Sequence, residues 1–176
     1  PRLLLFVWSK VRAVKKRRFS GRGAGIAGFS VLATNVTYAL NKNMELDRET
    51  IDEFFYRNSG SKVILFGFTY VIWQYFCNAL IEANQNYQME DSVLVHGGGW
   101  KKLHDKSVNN KVFNGVVKEV TGIKEVVNYY GMVEQTGSIF LECEAGYFHC
   151  SNYSEVFTRN ENFSTCRFGE TGILQL

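Results

Sequence analysis

Val93-Leu94-Val95-His96-Gly97-Gly98-Gly99-Trp100 and, about 30 residues further on, Val126-Val127-Asn128-Tyr129-Tyr130-Gly131-Met132-Val133-Glu134-Gln135 decide the fold of this chain. Each stretch is a short apolar run that ends in glycine, and a helix-length segment separates them. That arrangement reads as two parallel strands joined by a helical crossover. Both strand ends then reach the same edge of the sheet, and they bring backbone amides, aromatic rings and one carboxylate with them. Ligands bind at that edge in open α/β sheets. A nucleotide and metal site is the expectation there.

Working outward, Lys62-Val63-Ile64-Leu65-Phe66-Gly67 reads as a strong strand, and an amphipathic helix follows at about 70–86, carrying Val71, Tyr75, Asn78, Leu80 and Ile81. Strands are expected at Ser92–His96 and Lys124–Tyr129. Between them, Val108, Val112, Val116, Val117 and Val120 predict a helix over about 105–121. Upstream, Leu3–Trp8 reads as a short buried strand. Asp47 is placed to cap a helix running to about residue 58, with Ile51, Phe54 and Phe55 on one face and Gly60 closing it. Downstream, Phe140–Cys143 and Tyr147–Ser151 read as strands around an Ala145-Gly146 turn. Gly169-Glu170-Thr171-Gly172 reads as a tight turn before a last strand. The expected class is α/β: one domain over 1–176, a mostly parallel sheet with flanking helices, and an antiparallel tail at about 138–176.

Composition agrees with a packed domain. The chain has 176 residues, 45% of them hydrophobic and 15% aromatic, with a single proline. That is too apolar for a disordered segment. No apolar run reaches the roughly 18–20 residues that span a bilayer. The basic cluster follows the apolar start, whereas a secretory signal has it in front. Four cysteines without a close C-x-x-C pair fit reduced thiols in a cytosolic protein. His104 and His149 are not placed near any cysteine by a motif, so the thiols read as structural. The net charge of +3 hides an asymmetry: residues 1–22 hold eight basic side chains and no acidic one, while the remainder has a net charge of −5. The basic arm lacks interleaved aromatics, and nucleic-acid binding is not expected. Both ends read as interior segments, so the chain is expected to be a piece of a longer protein.

Two glycine motifs lead elsewhere and stop. Gly23-Ala24-Gly25-Ile26-Ala27-Gly28 fits G-x-G-x-x-G, but a basic run rather than an apolar strand comes before it, so the dinucleotide fingerprint fails. An exposed flexible loop is the expectation for this stretch. His96-Gly97-Gly98-Gly99 resembles an esterase oxyanion loop, yet the chain has no G-x-S-x-G nucleophile elbow. Those glycines equally suit a backbone lying flat against a planar ring. In Tyr130-Gly131-Met132-Val133-Glu134 a tyrosine at a strand end is suited to stacking on a purine, Gly131 permits close approach, and Glu134 supplies an oxygen ligand for a hard cation such as Mg²⁺.

Tyr130-Gly131-Met132-Val133-Glu134 resembles the Tyr-Gly-x-Thr-Glu motif of adenylate-forming enzymes, the superfamily of acyl-CoA synthetases, peptide-synthetase adenylation domains and firefly luciferase. The Gly97-Gly98-Gly99-Trp100-Lys101-Lys102 stretch and the form Tyr-Gly-Met-Val-Glu are most similar to its acyl-protein synthetase branch, whose best-known member supplies fatty acid for bacterial bioluminescence. Gly169-Glu170-Thr171-Gly172-Ile173-Leu174 resembles a later Gly-Glu-x-Gly-x-Leu motif. The likeness covers about residues 60–176 and is weaker over 1–59.

The resemblance implies a part of the large N-terminal domain of such an enzyme. It implies a two-step reaction: a carboxylate attacks the α-phosphorus of ATP to give an acyl-adenylate and pyrophosphate, and a thiol of a protein or CoA then takes the acyl group. It implies ATP and Mg²⁺, a fatty-acid substrate and a place for a partner subunit. Tyr130 would stack on adenine, Glu134 would hold Mg²⁺ at the phosphates, and Gly97, Gly98 and Gly99 would line the adenine pocket, with Trp100, Tyr129 and Met132 beside them. Val133 stands where the motif has a threonine that touches the α-phosphate, and Lys101 and Lys102 are the candidate replacements. The phosphate-gripping loop, the ribose-binding aspartate and the C-terminal lysine are not found, and the acyl-accepting cysteine is not assigned to any of the four. This stretch alone is therefore expected to lack turnover, and the alternative is a non-catalytic nucleotide-binding remnant.

Overall fold

The structure, a computed structural model, describes residues 2–8, 21–31, 33–100, 105, 107–132 and 138–176. The chain divides into two compact units, Pro1–Asn128 and Tyr129–Leu176.

In the first unit the strands are β1 (Arg2–Trp8), β2 (Asn35–Leu40), β3 (Val63–Phe68), β4 (Val93–Gly97) and the start of β5 (Glu125–Gly131), in the order β2-β1-β3-β4-β5. The β1–β2, β1–β3 and β3–β4 pairs are parallel. Leu3–Phe6 and Val63–Phe68 are apolar almost throughout because central parallel strands are covered on both faces. On one face Leu4, Phe6, Leu65 and Leu94 join Ile51, Ile72, Phe76, Leu80, Phe113 and Val117 in the main core. On the other, Phe29 of α1 (Gly21–Val31) stacks on Phe66, with ring centroids 4.0 Å apart.

Local chemistry sets the helices. The Asp47 carboxylate accepts a hydrogen bond from the Thr50 N–H at 3.1 Å and starts α2 (Arg48–Arg57), which ends on Asn58. After β3 the chain turns straight into α3 (Thr69–Ile72), a π-helical turn (Trp73–Cys77) and α4 (Asn78–Glu82), without a break. The expected helix at 70–86 is thus present but ends earlier, where Asn84 takes a positive φ of 48°. Its buried residues are Val71, Ile72, Phe76, Cys77 and Leu80, while Ile81 is exposed.

The helix expected at 105–121 is α5 (Asn110–Thr121). It starts late because the Asn109 side chain accepts from the Val112 N–H at 2.9 Å and caps it there. The buried stripe is Phe113, Val117 and Val120, rotated away from Val112, which is exposed. Gly122 ends the helix at φ 69°, a left-handed geometry that favours glycine. A second correction concerns Gly23–Gly28, expected as a loop: they lie inside α1.

In the second unit Tyr129, Tyr130 and Gly131 pair antiparallel with Leu141, Phe140 and Ile139 of β6 (Ile139–Glu142), and β6 pairs with β7 (Phe148–His149). β6 has the expected length one residue earlier, whereas β7 is shorter than expected. The hairpin turn closes at Gly146, φ 83°, where its N–H donates to the Cys143 carbonyl. A separate pair, β8 (Phe157–Arg159) and β9 (Ile173–Gln175), follows. The Gly169 turn lies before β9 as expected, with φ 86°. Gly172 is obligatory there: a Cβ would sit 2.4 Å from the Arg159 carbonyl oxygen. The α/β class, mostly parallel with an antiparallel tail, is the architecture found. Among the described residues no helix is long and apolar enough to cross a membrane.

Candidate functional site

In the first unit β3 and β4 end side by side, with Phe68 opposite Gly97. Gly97 is still buried in the sheet, whereas Gly98 and Gly99 emerge into solvent. Gly98 has φ 83°, so the turn needs glycine for its backbone shape. Gly99 has no neighbour within 4 Å of a built Cβ, which leaves its backbone open on that side. Trp100 follows, half-buried, edge-on to Trp73 at 5.9 Å between centroids. Trp73 in turn lies 6.1 Å from Phe113. Lys101 and Lys102 lie outside the described residues.

His96, the last residue before this turn, is 1% exposed. Its ring packs on Phe113 with centroids 4.4 Å apart, and its Nδ1 lies 2.9 Å from Thr69 Oγ1. Nε2 is buried and has no hydrogen-bond partner among the described residues. Burial pushes the imidazole pKa down to about 4, so the ring is neutral at neutral pH. Thr69 and Phe113 were not singled out by the sequence. Nothing in 27 residues of separation links Thr69 to His96, and Phe113 lies outside the valine periodicity of its helix.

In the second unit, successive side chains of β5 take opposite sides. Tyr129 is half-buried, and burial raises its pKa. Tyr130 stands 47% exposed, braced by Phe140 at 6.1 Å and Phe148 at 6.4 Å between centroids. Its ring is therefore held by two others yet remains nearly half exposed. Gly131 and Met132 continue this edge and are exposed. Val133 and Glu134 lie outside the described residues. The glycine turn belongs to the first unit and the Tyr-Gly-Met segment to the second. Among the described residues no group of three or more His, Cys, Asp or Glu side chains is placed to hold a metal ion.

The second unit adds a neighbour to one cysteine that no motif announced. All four are free. The hairpin turn folds His149 back onto Cys143, whose thiol pKa is lowered by a backbone hydrogen bond from Tyr147, then by His149 and by the Ala145 backbone. Six residues separate the pair in sequence, and only the three-residue turn between them makes them neighbours. Cys77 is the opposite case: it is buried in the first unit, and desolvation raises its thiol to about 12.

The protein-family model described as acyl-protein synthetase, LuxE, matches residues 27–176, most of the chain. No curated protein and no solved structure matches the chain.

Proposed function

We propose that this chain, which belongs to the acyl-protein synthetase (LuxE) family, takes part in ATP-dependent activation of a carboxylic acid, a fatty acid first, and in delivery of the acyl group to a protein thiol. The family match over residues 27–176 carries this reading. Two features, one in each unit, support it: the exposed Tyr130 ring, suited to stacking on a base, and the open backbone at Gly99. ATP is the substrate that supplies the adenylyl group. In this reading Tyr130 stacks on adenine, Gly131 lets it approach, and Gly97, Gly98 and Gly99 line the base, with Trp100, Tyr129 and Met132 at the rim. Lys101 and Lys102 contact phosphate in place of the hydroxyl that Val133 lacks. Glu134 is the residue that would hold Mg²⁺, which offsets phosphate charge when bound.

The test is isothermal titration of the chain with ATP and Mg²⁺, followed by ATP–pyrophosphate exchange with a panel of fatty acids. Base stacking on an aromatic ring contributes about 1–3 kcal/mol, so Tyr130→Ala should weaken ATP binding by about 5-fold to 150-fold. Glu134→Ala should abolish the Mg²⁺ dependence of that binding. ATP binding unaffected by both substitutions sinks the site. Binding without exchange fits an incomplete piece of such an enzyme or the second reading, a nucleotide-binding remnant, which Val133 at the threonine position of the motif favours.

A further inference from the structure

The buried imidazole of His96 is energetically expensive for a residue that only fills space. It sits in the core at 1% exposure, against Phe113, where a phenylalanine or leucine would leave no polar atom unpaired. Its one hydrogen bond among the described residues goes to Thr69 Oγ1, and that bond has a direction that can be reasoned out. If Nδ1–H donated to the threonine oxygen, the hydroxyl hydrogen would lack an acceptor and the Nε2 lone pair would lack a donor. If the hydroxyl donates to Nδ1, the Nε2–H and the threonine oxygen's lone pairs are what is left unpaired among the described residues. The second arrangement pairs the imidazole lone pair, a stronger acceptor than a hydroxyl oxygen, and so fixes one tautomer.

The same ring joins three elements at the edge where ligands bind. Thr69 is the first residue of α3, Phe113 is in the first turn of α5, and His96 directly precedes the Gly97–Gly99 turn. Glycines hold little shape of their own, so the course of that turn depends on its two anchors, His96 before it and Trp100, packed on Trp73, after it. We propose that His96 is a positioning residue for acyl activation: a neutral imidazole, locked by Thr69 with its proton on Nε2, that sets the path of Gly97–Gly99 and thereby the surface offered to the nucleotide base. Its low pKa agrees with this, because burial is the only cause acting on it and no charged group among the described residues adds to the shift. The role rests on the function proposed above, but the arrangement itself can be tested without it.

The experiment is nuclear magnetic resonance on the 176-residue chain, wild type and three variants, with ATP titration alongside. In the wild type the imidazole nitrogens should report the Nε2–H form and no titration between pH 5 and 8. Thr69→Val should release the tautomer and shift the amide signals of Gly97, Gly98 and Gly99. Thr69→Ser, which keeps the hydroxyl, should restore both. His96→Phe should shift the same glycine signals and speed their hydrogen exchange at least tenfold while the melting temperature holds or rises. Both Thr69→Val and His96→Phe should raise the ATP dissociation constant at least tenfold. An Nδ1–H imidazole, a pKa near 6.5, or glycine signals unmoved in His96→Phe overturns the proposal. Failure of the wild type to bind ATP overturns the function proposed above instead, and the glycine signals then decide the positioning role by themselves.

Discussion

Leu4, Leu65 and Phe113 in the first unit are sealed from water, whereas Tyr153 and Phe168 in the second stand almost fully open. Both units are rich in large apolar side chains, so composition does not separate them. Layering does. Long parallel strands covered by helices on both faces give the first unit an interior. The second consists of strands of two to four residues in β6–β9, too small to enclose their own aromatics. The same contrast governs chemistry. Burial silences Cys77 and holds His96 neutral, while the open hairpin leaves Cys143 accessible beside His149. Reactivity in this chain therefore follows the layer a residue occupies rather than its type.

The largest test of that contrast is a matched pair of truncations. Phe113→Ala empties a fully buried site and should cost about 3–5 kcal/mol in urea unfolding. Phe168→Ala removes a ring with no neighbours to lose and should stay within about 0.5 kcal/mol. Equal losses would break the comparison.

Acid comes next. The folded-state pKa of His96, about 4, lies below the ordinary value of 6.5. Below pH 6.5 the unfolded chain takes up a proton that the folded chain refuses. Stability is thus complete above 6.5 and is lost as pH falls toward 4, by about 3 kcal/mol from this one group. Comparing wild type with His96→Phe across that window isolates the effect, since the carboxylates are common to both. Parallel pH curves for the two proteins would show that His96 is not desolvated.

The smallest effect sharpens the thiol contrast. Under limiting iodoacetamide at pH 7, peptide mapping should find Cys143 labelled and Cys77 unlabelled until the chain is unfolded. His149→Ala should slow Cys143 labelling severalfold, because one of the interactions that lower its thiol pKa is lost. An unchanged rate would mean that the two backbone donors hold the sulfur alone.

Much of the fold was legible along the chain. Buried parallel strands write themselves as unbroken apolar runs, which is why Val63–Phe68 and Val93–Gly97 were placed within a residue or two. Asp47 announced α2, and Ala145-Gly146 announced the hairpin, because caps and turns are local chemistry. The helix over Gly21–Val31 was not legible, since three glycines in six residues argue against a helix wherever packing does not decide. Of the candidate site, the glycine turn and the exposed Tyr130 were marked by residue type, whereas Thr69 and Phe113 were not.

What the amino-acid sequence determined by itself is the class of fold and the motifs that place the chain in its family, because periodicity, capping and glycine placement act over a few residues. What only the tertiary structure decided is which groups meet. Thr69 reaches His96 across parallel strands whose neighbours are set by the β2-β1-β3-β4 order, and His149 reaches Cys143 across a hairpin. Such encounters depend on strand order, register and burial, which are properties of the whole packed chain, and no short window of residues encodes them.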